Sequence, residues 1–188
     1  MKFELARQSF IPILTPLFLA AVVAPFATQG NVFAAAAESG APVSGSDLSG
    51  GWHYVRTPNP QGGPAAVSIM HTADTSKSDL EFAGLTIRCG DGGTQILIIL
   101  LRAFPLRARP HVIFGRAGHE TQFEGTIAPP GTAILVPGNA ANLVEGLWQT
   151  QADLFVRVTD GPTSVSGVVA LTGLQPAFKA LVANCASQ

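Results

Sequence analysis

Residues 153–185 constrain the fold most strongly, because they contain a strand, a turn, a second strand and a helix in close succession. The first part alternates apolar and polar residues, and the triplet DGP at 160–162 has the composition of a turn. Leu174, Phe178, Leu181 and Cys185 then recur at helical spacing, which places them on one face of an amphipathic helix. The sequence therefore predicts a β-hairpin with a helix laid over it.

This helix ends on one of the two cysteines of the chain. The other cysteine, Cys89, falls on the apolar face of a predicted strand near the middle of the sequence. A bond between Cys89 and Cys185 explains these positions better than two reactive thiolates do, and disulfides are typical of oxidising compartments. We therefore predict a disulfide that joins the last helix to the middle of the fold.

The N-terminal segment has the features of a secretory signal peptide, since Lys2 and Arg7 precede an apolar run at 10–27. Three prolines interrupt this run, which argues against a stable membrane span. Small residues at 34–37 predict signal-peptide cleavage among them. The predicted organisation is a signal peptide at 1–37, a flexible leader at 38–51 that is rich in Gly, Ala, Ser and Pro, and a single domain at 52–188.

Short strands separated by turns account for most of the predicted domain. They are expected at residues 52–56, 66–73, 85–89, 94–102, 111–115, 122–127 and 133–136, ahead of the closing hairpin. The continuous apolar run at 96–101 predicts a strand that is buried on both faces. Leu143, Leu147 and Trp148 recur at helical spacing after Asn139, and we interpret them as core residues rather than a partner groove. The predicted fold class is α+β, an antiparallel β-sheet or sandwich with two late helices packed on it and one disulfide.

Three motifs have a recognisable order. LTIRC at 85–89 is followed by a glycine-rich turn and an apolar strand, a predicted helix leads into the strand DLFVRV at 153–158, and Gly173-Leu174 opens the helix that ends at Cys185. With Trp52 at the start of the domain, these motifs resemble the accessory proteins of type VI secretion (the VasI/TagO-like family). The resemblance implies an exported accessory protein with a protein partner in the cell envelope. Residues 57–64 depart from the family pattern, because they lack its acidic residues.

Patterns typical of catalysis are missing from the sequence. The spacing of the histidines does not match a zinc site, and no nucleophile elbow, Walker loop or dinucleotide-binding glycine motif is present. The histidines are His53, His71, His111 and His119. Glu120 and Glu124 are close enough in sequence to form a carboxylate pair, although a solvated strand face is the simpler interpretation. We therefore expect no catalytic residue, no cofactor and no metal.

Positive charge accumulates in one part of an otherwise balanced chain. The whole sequence has 11 basic and 12 acidic residues, which does not favour a nucleic-acid partner. No acid lies between Asp91 and Glu120, whereas this segment contains four arginines. They are Arg102, Arg107, Arg109 and Arg116. Since arginines are rarely buried without an acid, we predict that all four are exposed on one edge of the domain and form the candidate binding residues. The simpler alternative is an exposed loop that arginine keeps soluble.

These observations predict an exported, non-enzymatic accessory or binding protein, either periplasmic or secreted, without a stable membrane span after cleavage. The alternative is a periplasmic binder of an anionic ligand or envelope polymer that acts through the arginine-rich loop. An enzyme of unrecognised type is the third interpretation.

Overall fold

The structure, a computed structural model, describes residues 44–59, 62–90, 92–116 and 118–185. Within them the chain forms eleven strands and two α-helices. These elements are β1 (Ser44–Asp47), β2 (His53–Thr57), β3 (Ala66–Thr72), β4 (Phe82–Gly90), β5 (Gly93–Leu100), β6 (His111–Phe114), β7 (Thr121–Glu124), β8 (Thr126–Ala128), β9 (Ala133–Val136), α1 (Ala141–Glu145), β10 (Asp153–Asp160), β11 (Thr163–Ala170) and α2 (Leu174–Cys185). The predicted signal peptide and its cleavage site lie outside the described residues.

Two antiparallel sheets build the domain. The first sheet has the order β1-β2-β3-β4-β5-β9-β8, and the second has the order β11-β10-β6-β7. Side chains from both sheets meet in one hydrophobic core, in which Trp52, Ile98, Ile134 and Val156 are completely buried. The predicted fold class is confirmed, because antiparallel sheets, helices and a disulfide are all present.

The Cys89–Cys185 disulfide is present and joins β4 to α2, with the two Cα atoms 5.5 Å apart. Leu174, Ala177 and Leu181 are buried on the inner face of α2, which packs against β2, β3 and β4. The amphipathic pattern of this helix therefore predicted its buried face correctly. Among the described residues, no helix has the length and apolar character needed to cross a membrane.

The strand predicted at 122–127 is divided between the two sheets. Its first half is β7 of the second sheet, and its second half is β8 of the first sheet. Gly125 lies at the crossing point, where an added Cβ atom would come within 2.4 Å of the Ile134 side chain and 3.3 Å of the Val112 side chain. The chain can change sheets here because glycine leaves room for these two core residues to approach.

Part of the predicted flexible leader is structured. Ser44–Asp47 forms β1 and pairs with β2 from Ser44 opposite Arg56 to Asp47 opposite His53. The absence of apolar periodicity predicted a flexible leader at 38–51, and this prediction is wrong for residues 44–51. An edge strand needs backbone hydrogen bonds to its neighbour and no buried side chain of its own, so apolar periodicity gives no sign of it.

The first of the two predicted helices is shorter than expected. A 3-10 segment (Gly138–Ala140), α1 and a second 3-10 segment (Leu147–Thr150) replace one continuous helix. Gly146 interrupts it, with a φ of −117° and a ψ of −96° that lie outside the helical region. Trp148 is nevertheless buried, as predicted, whereas Leu147 is 52% exposed.

Candidate functional site

The outer face of the second sheet carries a mixture of aromatic and charged side chains. In β10, Leu154, Val156 and Val158 point inward and are buried, whereas Phe155 and Arg157 alternate with them and are half-buried on the outer face. This alternation places an aromatic ring and a guanidinium side by side on the surface. The candidate site lies around these two side chains.

A segment that follows β3 covers the free edge of β11. The Asp74 N–H donates to the Val168 carbonyl (2.8 Å), and the Asp79 N–H donates to the Ser166 carbonyl (2.9 Å). In return, the Ser166 N–H donates to the Asp79 carboxylate (2.6 Å), and the Val168 N–H donates to the Ser78 hydroxyl (2.9 Å). These bonds place Lys77, between Asp74 and Asp79 in the chain, beside the outer face of the sheet.

Two adjoining depressions form what we call the Phe155 cleft, because both are lined by Phe155 and Arg116. The first has a volume of about 430 Å³ and the second about 420 Å³. The first is also lined by Lys77, Glu120, Arg157 and Val168, and the second by Gly115, His119, Gln151, Ala152 and Asp153. The cleft is open to solvent and combines an apolar floor with a charged rim.

Most charges of the Phe155 cleft are compensated. Arg157 donates to Glu120 at 3.0 Å. Lys77 lies 3.0 Å from the Asp74 carboxylate and 3.9 Å from that of Asp153. The hydrogen bond to Asp74 and the nearby carboxylates raise the pKa of Lys77 above its usual 10.5, against opposing effects of desolvation and of the Arg116 charge.

Arg116 is the exception. It is exposed, it lines both depressions, and none of the ion pairs among the described residues includes it. A guanidinium without a carboxylate partner is available to an external anion. Among the described residues, Arg116 is therefore the cation of the cleft that has no ion pair.

The other three predicted binding arginines lie elsewhere. Arg102 is 3.4 Å from Glu81, Arg109 is 3.9 Å from Glu124, and Arg107 has no ion pair among the described residues. All three are exposed, as is Arg116, so the predicted exposure is confirmed.

The prediction that all four arginines share one edge is wrong for Arg116. Arg109 precedes β6 and Arg116 follows it, so the two residues lie at opposite ends of an extended strand. A strand of this length separates its ends by about 13 Å. Charge accumulation along the sequence could not reveal this separation, because a strand carries neighbours in sequence apart in space.

Sequence reasoning missed Lys77, Phe155 and Arg157 as site residues. One signal was available, since the outward residue nearest to Arg157 on the N-terminal side, Phe155, is aromatic, and the buried residues of this strand are all aliphatic. Lys77 gave no such signal, because its position depends on the pairing of residues 74–79 with β11.

The residues considered for catalysis do not converge. Glu120 bonds to Arg157 and Glu124 lies beside Arg109, so they do not form a carboxylate pair. His53 contacts Asp47 at 2.6 Å, and the ring of His71 packs edge-on against Trp52. Within the described part of the chain, no group of three or more His, Cys, Asp or Glu residues is placed to hold a metal ion.

The segment at 74–79, which covers the free edge of β11, is expected to contribute a stability that depends on pH through Asp74. Its pKa is lowered from 3.8, first by the Ser76 hydroxyl and then by Lys77 and the Ser76 N–H. A carboxyl group with a lowered folded-state pKa stabilises the fold above its unfolded pKa, and this contribution is lost as pH falls through the folded pKa. We expect D74N to lower Tm at pH 7, and we expect the difference from the native chain to shrink below about pH 4. Thermal unfolding of D74N and of the native chain at several pH values measures this difference in Tm.

The D160N variant is the control for this experiment, since no ion pair among the described residues includes Asp160. Tm curves of D74N and the native chain that stay parallel throughout the acid range would contradict the role given to Asp74.

The chain matches no model of a known protein family, and the search of curated proteins also finds no match. Among solved structures it is similar to the crystal structure of invasion associated protein B from Bartonella henselae, with a TM-score of 0.47 and 14% sequence identity. The similarity covers 74% of this chain and 95% of that chain. At this distance it supports no functional conclusion. The resemblance to type VI accessory proteins stays a prediction.

Proposed function

We propose that this chain is an exported binding protein of the bacterial envelope, which holds an anionic group of its ligand in the Phe155 cleft. The observation that carries the proposal is Arg116, an exposed guanidinium without an ion pair among the described residues, at the junction of two depressions. A guanidinium binds a carboxylate or phosphate through two parallel hydrogen bonds. Lys77 and Arg157 line the same cleft, but their charges are paired with Asp74, Asp153 and Glu120, so the free positive charge among the described residues of the cleft is that of Arg116.

The floor of the cleft indicates the rest of the ligand. Phe155 presents apolar surface next to the three cations, and the largely buried Val168 lies beside it. A ligand that suits both parts has an apolar face beside its anionic group, as the repeating units of an acidic polysaccharide do. Because the cleft is open rather than enclosed, it suits a segment of such a polymer better than a small molecule that must be surrounded.

Export and the absence of catalysis are parts of the same proposal. The disulfide supports export, because such bonds persist in oxidising compartments, and the predicted signal peptide agrees with it. The carboxylates that line the cleft lie beside cations, Glu120 with Arg157 and Asp153 near Lys77. Charge pairing accounts for both carboxylates, which supports a binding role for the cleft. The type VI resemblance implies a protein partner in the cell envelope, and the chain would meet such a partner after export.

The test is a binding titration with polygalacturonate, a carboxylated polysaccharide, at low and at moderate salt. We expect R116Q to weaken binding by about tenfold or more, because a hydrogen bond to a charged group contributes about 1.5–3 kcal/mol. The residual binding should depend less on salt. R56Q is the matched control, since Arg56 is exposed on the first sheet and has no ion pair among the described residues.

Thermal unfolding of R116Q should match that of the native chain, because an exposed charge contributes little to stability. The triple variant R102Q/R107Q/R109Q separates the cleft from the arginine loop. If this variant loses binding and R116Q does not, the alternative interpretation through the loop replaces the cleft. Turnover of an envelope substrate that one substitution abolishes would overturn the non-enzymatic part of the proposal.

A further inference from the structure

Within the described residues, the two sheets end in four edge strands, and these strands differ in length. β1, β7 and β8 contain four, four and three residues, whereas β11 contains eight. A free edge presents a row of unpaired N–H and C=O groups that a strand of another chain can join, and a short edge limits this pairing. Among the described strands, β11 therefore has the edge with the greatest capacity to pair with a second chain.

The composition of β11 gives this edge no protection of its own. Its sequence, TSVSGVVA, includes one threonine and three valines but no charged residue and no proline. Charged side chains and prolines are the residues that commonly keep an edge strand from pairing, and uncharged segments rich in β-branched residues are prone to association. Protection of the β11 edge must therefore come from another part of the chain.

Residues 74–79, which we call the covering segment, occupy the middle of this edge. Alternate residues of an antiparallel strand direct their backbone groups to the same side, and Ser166 and Val168 direct theirs away from β10. The covering segment bonds both the N–H and the C=O of each residue, at distances between 2.6 and 2.9 Å. A second strand would need these same four groups, so it cannot pair here while the covering segment is in place.

Side chains supply half of these contacts. The N–H of Ser166 donates to the carboxylate of Asp79, and the N–H of Val168 donates to the hydroxyl of Ser78. These acceptors satisfy the edge without a further strand, so the sheet ends at β11. Asp79 and Lys77 are also exposed, and they place charge beside a strand that has none.

We propose that the covering segment keeps this chain from associating with a second copy of itself through β11. Without the segment, two copies of β11 pair antiparallel about Gly167. Ser166 of each copy then lies opposite Val168 of the other, and the pairing satisfies the same four backbone groups in an isologous dimer. A second copy is the partner that always presents an edge of equal length and equal lack of charge. The proposal does not depend on the ligand of the Phe155 cleft.

The first test removes the two side-chain acceptors with S78A/D79A. In sedimentation equilibrium, we expect this variant to self-associate at least about tenfold more tightly than the native chain, because the unpaired N–H groups regain acceptors in the dimer. D160A/S164A is the matched control, since it changes the same residue types on the adjoining hairpin and leaves the contacts of the covering segment intact. All variants share residues 1–37, so any association through that segment is common to them. A folded S78A/D79A chain that associates no more tightly than the native chain would overturn the proposal.

The second test distinguishes pairing of β11 from association of unfolded chains. S166K, added to S78A/D79A, should return self-association to the native level, because a charge on an edge strand opposes pairing. At low concentration, the Ser166 and Val168 amides of S78A/D79A should exchange hydrogen faster than those of the native chain, and they should regain protection as the dimer forms. Association that S166K leaves unchanged would come from another surface or from unfolded chains, and the proposal would be wrong.

The single variant S78A provides the same comparison in a chain that keeps most of the covering contacts. It removes the acceptor of the Val168 N–H and retains Asp79. We expect its self-association to lie between those of the native chain and S78A/D79A. If S78A/D79A does not fold, S78A that associates no more tightly than the native chain overturns the proposal in its place.

Discussion

Replacing both cysteines with serine (C89S/C185S) is expected to lower the free energy of unfolding by about 4–5 kcal/mol. The native bond closes a loop of 96 residues, and in the chain-entropy model a loop of about this length restricts the unfolded chain by that amount. For a domain of this size, the loss corresponds to a decrease in Tm of about 10–20 °C. Calorimetry of the variant and of the native chain measures both quantities.

V182S is the control for the disulfide variant, because Val182 is exposed on the same helix and changes to the same residue type. We expect this substitution to change the free energy of unfolding by less than about 0.5 kcal/mol. Hydrogen exchange of α2 supplies a local measurement, since a helix released from β4 should lose protection earlier than the sheets do. Equal stability of C89S/C185S and the native chain would show that the packing of α2 is sufficient without the bond.

The W148A variant is expected to lose about 3–5 kcal/mol of folding free energy, the usual cost of truncating a fully buried tryptophan. Trp148 is 1% exposed, and its ring packs edge-on against Phe114 with the ring centres 5.0 Å apart. It therefore joins the segment after α1 to the inner face of the second sheet. In chemical denaturation, this loss lowers the denaturant concentration at the midpoint of unfolding.

L147A is the neighbouring control. Leu147 is 52% exposed, so its truncation should cost about 1 kcal/mol or less. The pair of variants also distinguishes the two interpretations of this helical segment, since a partner groove would need Trp148 at the surface. If W148A were as stable as L147A, the packing of Trp148 against Phe114 would contribute little to stability, and its role in the core would need revision.

The sequence predicted well those features that depend on local pattern. Alternation in 153–160 identified a half-buried strand, and helical spacing in 174–185 identified the buried face of α2. The disulfide could also be predicted, because a chain with two cysteines on apolar faces has one intramolecular pairing available. For the strand and the helix, the information lies within a few residues of where it acts, and for the disulfide the presence of two cysteines leaves a single pairing.

The sequence predicted poorly the features that depend on distant partners. Leu101 continues an apolar run that is otherwise mostly buried, yet it is 71% exposed because β5 ends at Leu100 and the chain leaves the sheet. Gly125 carries the chain from one sheet to the other because Ile134 and Val112 approach it from two sheets. Neither outcome has a local pattern.

The candidate site also combines features that the local sequence predicts with features that depend on residues distant in sequence. The sequence by itself determined most of the strands and the last helix, which of their faces are apolar, that the cysteines pair and that arginines 102–116 are exposed. Tertiary structure alone decided that Arg116 separates from the other three and joins Lys77 and Arg157 around Phe155. The physical reason is that the pairing of β6 with β10 and the attachment of residues 74–79 to β11 bring residues 77, 116 and 157 together. Most of these hydrogen bonds join backbone groups that every sequence carries, and the others come from Ser78 and Asp79, which lie far from β11 in sequence.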